Sequence, residues 1–327
     1  MGTAAVTLTA CGSTDATGTS GGKNGAEPVQ IAFIGSKMVD YQNAIFRGMS
    51  SVDGVKVTFI ESGFDPNKQS QAMDNAVASG RYKGIVLVPN SATGLIPAAQ
   101  RAIAAGIQVV NVSTTLGPDE QSNKVQLKGQ AASIVEQFEP YAEDMAKLAL
   151  RACAEARQSP CTIARIGGLP QYAVEGSLTK GVAKVVAEAG SDAKVVATTF
   201  AGGYGPTEGL KAGQDLLASH PKVNVVLAST QAMQGVEQAV TEAGLDFHQV
   251  HLIGLGGNKF GMKSVAAGRR YGEVAFFPSY VGKTAAETLL KHIADPDLKG
   301  ETLSAADPHL PLVYTKKNAD QFKGQSN

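Results

Sequence analysis

Five histidines, three cysteines and a scatter of hydroxyl, amide and carboxylate residues are the groups from which any chemistry in this sequence would have to be built. His220, His248, His251, His292 and His309 fall mostly at helix ends and in loops, where surface positions are expected. None stands at a spacing from Cys or Asp that marks a catalytic pair. Lys37 and Lys263 lack the preceding glycine spacing of a phosphate-binding loop. Gly254-Leu255-Gly256-Gly257 follows an apolar run without the spacing of a dinucleotide fingerprint, and reads as a tight turn. What recurs instead is a set of small polar residues placed directly after apolar runs. Ser36 and Lys37 follow IAFIG, with Asp40 and Tyr41 just beyond. Asn90 lies in Pro89-Asn90-Ser91, Ser113 and Thr114 follow VVNV, and Tyr172 follows Pro170-Gln171. Such groups donate and accept hydrogen bonds but supply no nucleophile with its base and no metal set, which is the chemistry of reversible capture. No enzymatic step, metal or cofactor is expected.

The apolar runs that position these residues are IAFIG (31–35), VTFIE (57–61), GIVLVP (84–89) and VVNVS (109–113), then TIARIG (162–167), AKVVATTF (193–200), VNVVLAS (223–229), VHLIGL (250–255) and EVAFF (273–277). Short continuous runs bounded by Gly, Pro, Ser or Asn read as strands covered on both faces. Between them lie segments with apolar residues three and four apart, such as Ile96, Ala99 and Ile103, which read as helices. LGPDEQSNKVQLKG, near 117–130, interrupts the rhythm, and a long helix is expected from about 131 to 157. Repeated β-α units on both sides of this break predict two doubly wound parallel sheets, whose strand C-termini line a cleft if the lobes face each other.

Composition narrows the partners. Lys plus Arg and Asp plus Glu are 29 each, so no field of one sign gathers nucleic acid or coats an anionic membrane. The 327 residues suffice for two lobes, and no apolar stretch reaches the ~20 residues of a spanning helix. Cys153 and Cys161 are separated by AEARQSP, a helix end and turn short enough to bring them within disulfide range; two separately buried thiols are the alternative. Cys11 closes Leu8-Thr9-Ala10-Cys11 ahead of a small, polar run that reads as a tether over residues 1–28. LTAC resembles the cleavage box of bacterial lipoproteins, in which the thiol is acylated, although residues 1–7 carry no basic region and no full apolar core. A chance cysteine in a disordered leader is the other reading of Cys11.

From Val29 to Thr315 the chain resembles the ribose-binding-like periplasmic sugar-binding proteins of ABC transporters. The likeness is carried by IAFIG, SGRYKGIVLVPNSATGLIPAAQRAIAAGIQVVNV, GLKAGQDLLASHPKVNVVLAST and VHLIGLGGNKFGMKSVAAGRRYGEVAFFPSYVGKTAAETL, in that order and spacing. The resemblance implies the type I periplasmic binding protein fold. Its first lobe would comprise 29–128 and 277–309 and its second 129–276 and 310–327, with three hinge crossings near Gly129, Phe277 and Leu310. It also implies binding positions. Ser36, Asp40 and Tyr41 fall on the first wall, and Ser113 and Thr114 replace the family's Asp-Arg pair. Glu175 or Gly176 stands near its second-lobe Arg, and Tyr204 at its aromatic. Thr230 and Gln231 replace its Asn-Asp, Asn258 is the nearest polar substitute for its later Asp, and Phe276 stands near its hinge Gln. Loss of the charged anchors predicts a ligand other than ribose, a small neutral sugar or polyol. Implied partners are ABC permease subunits, implied localisation is extracytoplasmic with at most a lipid anchor, and a monomer is expected. A sensory protein of the same fold that recognises a furanosyl signal or a nucleoside is the alternative.

Overall fold

The computed structural model describes residues 1–2 and 27–326, so Cys11 and its tether lie outside the described residues. The chain forms two six-stranded sheets. The first contains β1 (Val29–Gly35), β2 (Val55–Glu61), β3 (Gly84–Leu87), β4 (Gln108–Ser113), β5 (Ala132–Val135) and, far along the chain, β11 (Glu301–Thr302), in the order β11-β5-β4-β3-β1-β2. The second contains β6 (Cys161–Gly167), β7 (Ala193–Phe200), β8 (Val225–Ser229), β9 (His251–Gly256), β10 (Gly272–Ala275) and β12 (Val313–Thr315), in the order β12-β10-β9-β8-β6-β7. All ladders are parallel except β10–β12, where Gly272 faces Thr315. The inner strands β3, β5, β9 and β10 are buried at every position, as their unbroken apolar runs require.

Helices cover both faces of each sheet. Against the first sheet, α1 (Asp40–Ser50) and α9 (Pro278–Ala294) enclose a core around Ile31, Phe33, Val110 and Leu289, while α2 (Pro66–Ala78) and α3 (Ile96–Ala104) enclose one around Ile34, Met73 and Leu87. Against the second, α4 (Phe138–Glu155) and α5 (Ala173–Ala189) cover one face, α6 (Pro206–Ser219) and α7 (Ala232–Glu242) the other, and α8 (Lys259–Ala266) packs beside β10 and β12. The α1–α9 pair touches backbone to backbone: a Cβ at Gly282 would collide with the Ile45 carbonyl, and one at Gly48 with that of Ser279. This close approach ties a helix from late in the sequence to the first lobe.

Several sequence expectations are corrected. The long helix from about 131 begins only at Phe138, because Ala132–Val135 pairs with β4, Val110 opposite Ala132. A four-residue buried run carries no period that separates helix from strand, and the open edge of β4 decides it. The first lobe therefore extends past 128, and the first crossing lies at Glu136 and Gln137 rather than Gly129. The EVAFF strand stops at Ala275, because Pro278 opens α9 and Phe277 caps it. Of LPLVYT only Val313–Thr315 pairs, which makes the second sheet mixed. Not all histidines are superficial, since His251 and His292 are buried, the latter 3.3 Å from Glu301 Oε1.

Cys153 at the end of α4 and Cys161 at the start of β6 form a disulfide, with Cα atoms 5.6 Å apart and eight residues of separation. Closing so short a loop constrains the unfolded chain by about 2–3 kcal/mol. The Cys153→Ser, Cys161→Ser double variant should lose about that much stability in urea titration. Free alkylation of both cysteines in the folded, unreduced protein would refute the bridge.

Candidate functional site

The C-terminal ends of the parallel strands in both sheets open on one cavity of about 800 Å³. From the first lobe Ser36 follows β1, Asn90 follows β3, Ser113 ends β4 and Thr114 follows it; from the second, Gly167 ends β6 and Gly168 follows it, Thr230 and Gln231 follow β8, and Gly256 ends β9. Tyr41, Tyr172, Glu175, Tyr204 and Phe276 complete the predicted residues that line it. Three predicted residues do not. Lys37 and Asp40 lie outside the lining; Asp40 is the first residue of α1, whose cap is Val39, and its side chain makes no cap bond. Asn258 is fully buried behind the cleft, where its Oδ1 caps α8 by accepting from Gly261 N at 2.7 Å.

Lining the cleft does not leave a group free for a ligand. Asn90 Nδ2 donates to Gly63 O at 2.8 Å and Thr114 Oγ1 to Pro89 O at 2.7 Å, so both brace the first lobe's loops. Ser36 Oγ accepts from Gln42 Nε2 at 2.8 Å, and Gln42 also reaches the cavity. Thr230 is held from behind. Arg270, with no exposed surface, donates to Thr230 Oγ1 at 3.0 Å and to its carbonyl at 3.1 Å, while pairing with Glu237 and Glu273. Glu273 in turn accepts from Gly257 N at 3.0 Å, so this buried charge cluster fixes both turns of the cleft floor. Burial holds the Glu273 carboxyl above its ordinary range, against the opposing pull of Arg270.

Residues that sequence reasoning missed carry most of the electrostatics. Arg165, in the middle of β6, pairs with Glu175 at 2.7 Å, both almost without solvent contact. The other Glu175 oxygen accepts from Gly168 N at 2.8 Å and from the Tyr204 hydroxyl at 2.9 Å. One carboxylate thus joins strand, loop and aromatic wall. Burial first, and Glu175 second, raise the Tyr204 hydroxyl well above its usual range. A single Arg inside the apolar run TIARIG was the available signal, since a buried guanidinium demands a partner. Glu136, at the first crossing, also lines the cavity and is 3% exposed. Its Oε1 accepts from the Tyr41 hydroxyl. Burial pushes its carboxyl up to about 7, against the hydrogen bond from Tyr41. Tyr41 and Tyr141, the two phenols that act on it, belong to an aromatic cluster: Phe276 meets Tyr41, Phe138 and Tyr141 with centroids 5.9, 6.0 and 5.6 Å apart.

Two outcomes follow from these charges. Because the folded-state value of Glu136 stands above the ordinary 4.5, folding takes up a proton between the two values. That stability is fully present below the unfolded value and is lost as pH rises through about 7. Wild type should therefore lose stability relative to Glu136→Gln between about pH 5 and pH 8, on the order of 2–3 kcal/mol in urea titrations; parallel profiles would contradict the assignment. Arg165→Met, which leaves Glu175 buried without its cation, should cost about 3–5 kcal/mol, and adding Glu175→Leu should recover much of it. Additive losses would mean that the pair is not coupled.

Comparison with known proteins places this architecture. The profile of the periplasmic binding protein domain matches residues 38–297. The ribose import binding protein of Bacillus subtilis is 24% identical over 236 residues, 72% of this chain and 70% of that protein. Among solved structures, an ABC transporter solute-binding protein of Actinobacillus succinogenes with bound D-allose superposes with a TM-score of 0.77 at 20% identity, covering 90% of this chain and all of that one. One from Bacillus halodurans with bound myo-inositol gives 0.74 at 16% identity, covering 93% and 100%. At such identities the superpositions speak for the fold, two α/β lobes with a cleft between them. With the profile spanning most of the sequence, the chain belongs to the periplasmic binding protein family.

Proposed function

We propose that this chain is the solute-binding component of an ABC importer and captures a small neutral sugar or polyol between its lobes, outside the cytoplasm. The observation that carries the reading is the cleft itself. Its volume of about 800 Å³ lies in the range of small-molecule pockets, and both lobes line it with hydroxyls, amides and aromatic faces. Its buried cation is already spent, Arg165 on Glu175, so an anionic ligand would find no free buried partner among the described residues. Ser36, Gln42, Ser113 and Gln231 offer hydrogen bonds to hydroxyls, while Tyr41, Tyr172, Tyr204 and Phe276 offer faces to C–H groups. The relative from Bacillus subtilis is a ribose import protein, and the two structural neighbours hold an aldose and a cyclitol. The Cys153–Cys161 disulfide suits an oxidising compartment, and among the described residues no helix is long and apolar enough to cross a membrane. A lipid on Cys11, permease docking and a monomeric state belong to the same proposal.

Capture by closure follows from the shared lining, since a ligand that touches both lobes binds the closed form better and shifts the population toward it. D-allose, D-ribose and myo-inositol should be screened by thermal shift, and the binder should reduce the radius of gyration in solution scattering on saturation. Tyr204→Ala should weaken that binding about 2–10-fold without unfolding the protein. An unchanged scattering curve from a demonstrably open free protein would rule out closure.

A further inference from the structure

Glu136 is a buried carboxyl that closure and capture leave without a task. None of the ion pairs among the described residues includes it, and its Oε2 has no hydrogen-bond partner. Its Oε1 meets the Tyr41 hydroxyl, and that same hydroxyl lies 2.7 Å from Ser113 Oγ, where either oxygen can donate. Ser113 lines the cavity and holds a backbone φ of +67°, a left-handed conformation that a serine adopts only when its surroundings impose it. Three oxygens on three elements therefore form one chain from the first crossing to the cleft: Glu136 after β5, Tyr41 on α1 and Ser113 at the end of β4.

We infer that Glu136, Tyr41 and Ser113 form a specificity-determining relay, in which the proton on Glu136 decides whether Ser113 meets the ligand as donor or acceptor. The inference rests on the reading of this cleft as the ligand site. With Glu136 ionised, Tyr41 donates to the carboxylate, its oxygen accepts from Ser113, and Ser113 presents only lone pairs to the cleft. With Glu136 protonated on Oε1, the acid donates to Tyr41, Tyr41 donates to Ser113, and the Ser113 hydroxyl proton turns to the ligand. No covalent bond other than the O–H of Glu136 is made or broken. The other titratable groups that face Glu136 are Tyr41 on α1 and Tyr141 on α4; β4 brings Ser113, and the segment after β10 brings the Phe276 ring. Both phenols are held well above neutrality by burial, so Glu136 alone changes charge near pH 7. A ligand hydroxyl can satisfy either state of Ser113. A sugar ring oxygen, which only accepts, is satisfied by the protonated state alone.

Infrared difference spectra of the ligand-free protein between about pH 5.5 and 8.5, bracketing the Glu136 titration, test the relay directly. A protonated-carboxyl carbonyl component should vanish through about pH 7 in wild type and be missing in Glu136→Gln, whose shape is conserved, while any band from the buried Glu273 is common to both. A tyrosine C–O band should shift in step, and that shift should be lost in Tyr41→Phe. A carboxyl titration through about pH 7 that is identical in wild type and Glu136→Gln, or a tyrosine band that stays still, overturns the proposal. Calorimetry with D-allose and D-ribose adds the ligand's view. For the sugar that binds, the dissociation constant should change at least about threefold across that pH range in wild type and stay flat in Glu136→Gln and Ser113→Ala. Equal pH profiles in wild type and Glu136→Gln overturn the specificity step. Failure of every sugar to bind would instead strike the sugar reading, while the infrared bands still decide the relay.

Discussion

The rest of the structure depends on a constraint of connectivity: the chain passes between the lobes three times, at Glu136–Gln137, between β10 and α9, and between β11 and β12. Each lobe is thereby completed by a piece from the far end of the sequence. The first receives α9, locked against α1 through Gly48 and Gly282, and the edge strand β11. The second receives β12 along β10, with Tyr314 and Phe322 stacked at 5.1 Å over the edge. Neither lobe builds its sheet from a contiguous half of the chain, and the two are joined by narrow segments. The strand ends of the two sheets face each other across the cleft, with those segments as the only links that a change of angle would have to bend among the described residues.

That opposition explains where the charge sits. A parallel sheet buries its strands on both faces, so a charged side chain inside it needs a partner within the protein. Arg165, in β6, finds Glu175, and Glu273, in β10, finds Arg270, which also pairs with Glu237. Both clusters lie just behind cleft residues and spend their hydrogen bonds on the backbone of the Gly168 and Gly257 turns and on Thr230. The charges thus act on a ligand through the neutral groups they hold in place. Glu136 is the exception, a carboxyl with aromatic rings where a cation would otherwise stand. Its neutral form is the cheaper one in that setting, which is why it titrates near physiological pH.

Much of this was legible in the sequence. Continuous runs such as GIVL and HLIGLG are buried strands, and the small polar residues after them reach one cleft, because parallel strands place their C-terminal ends on the same side. The failures have local causes. ASIV is too short to show a period, so β5 was hidden inside an expected helix, and with it the place of the first crossing and the burial of Glu136. Asn258 stands near the cleft in sequence but spends its side chain on a helix cap, a use that spacing alone does not separate from ligand contact. Asn90 and Thr114 reach the cavity, yet their donors are committed to carbonyls in loops distant in sequence. Pairing between residues far apart is what a single sequence conceals.

The rim of the cleft adds a final element to this division of labour. Phe64, after β2, is 54% exposed, and its ring stands 5.9 Å from that of Tyr172, after β6 in the opposite lobe. Beside it Ser177 Oγ reaches Gln121 Oε1 at 3.4 Å across the same gap. Both contacts join the lobes across the mouth of the cleft, apart from the connectivity that holds the lobes together, so on the proposed closing mechanism they favour the closed form. An aromatic pair of this kind contributes about 0.5–1.5 kcal/mol beyond its buried area, enough to change the closed fraction several-fold but too little to hold the cleft shut alone. The ligand's own contacts to both walls must supply the remainder. In the proposed role of a carrier, a closure that is weak by itself would let the same hinge release what it has captured, which a tight lock would prevent.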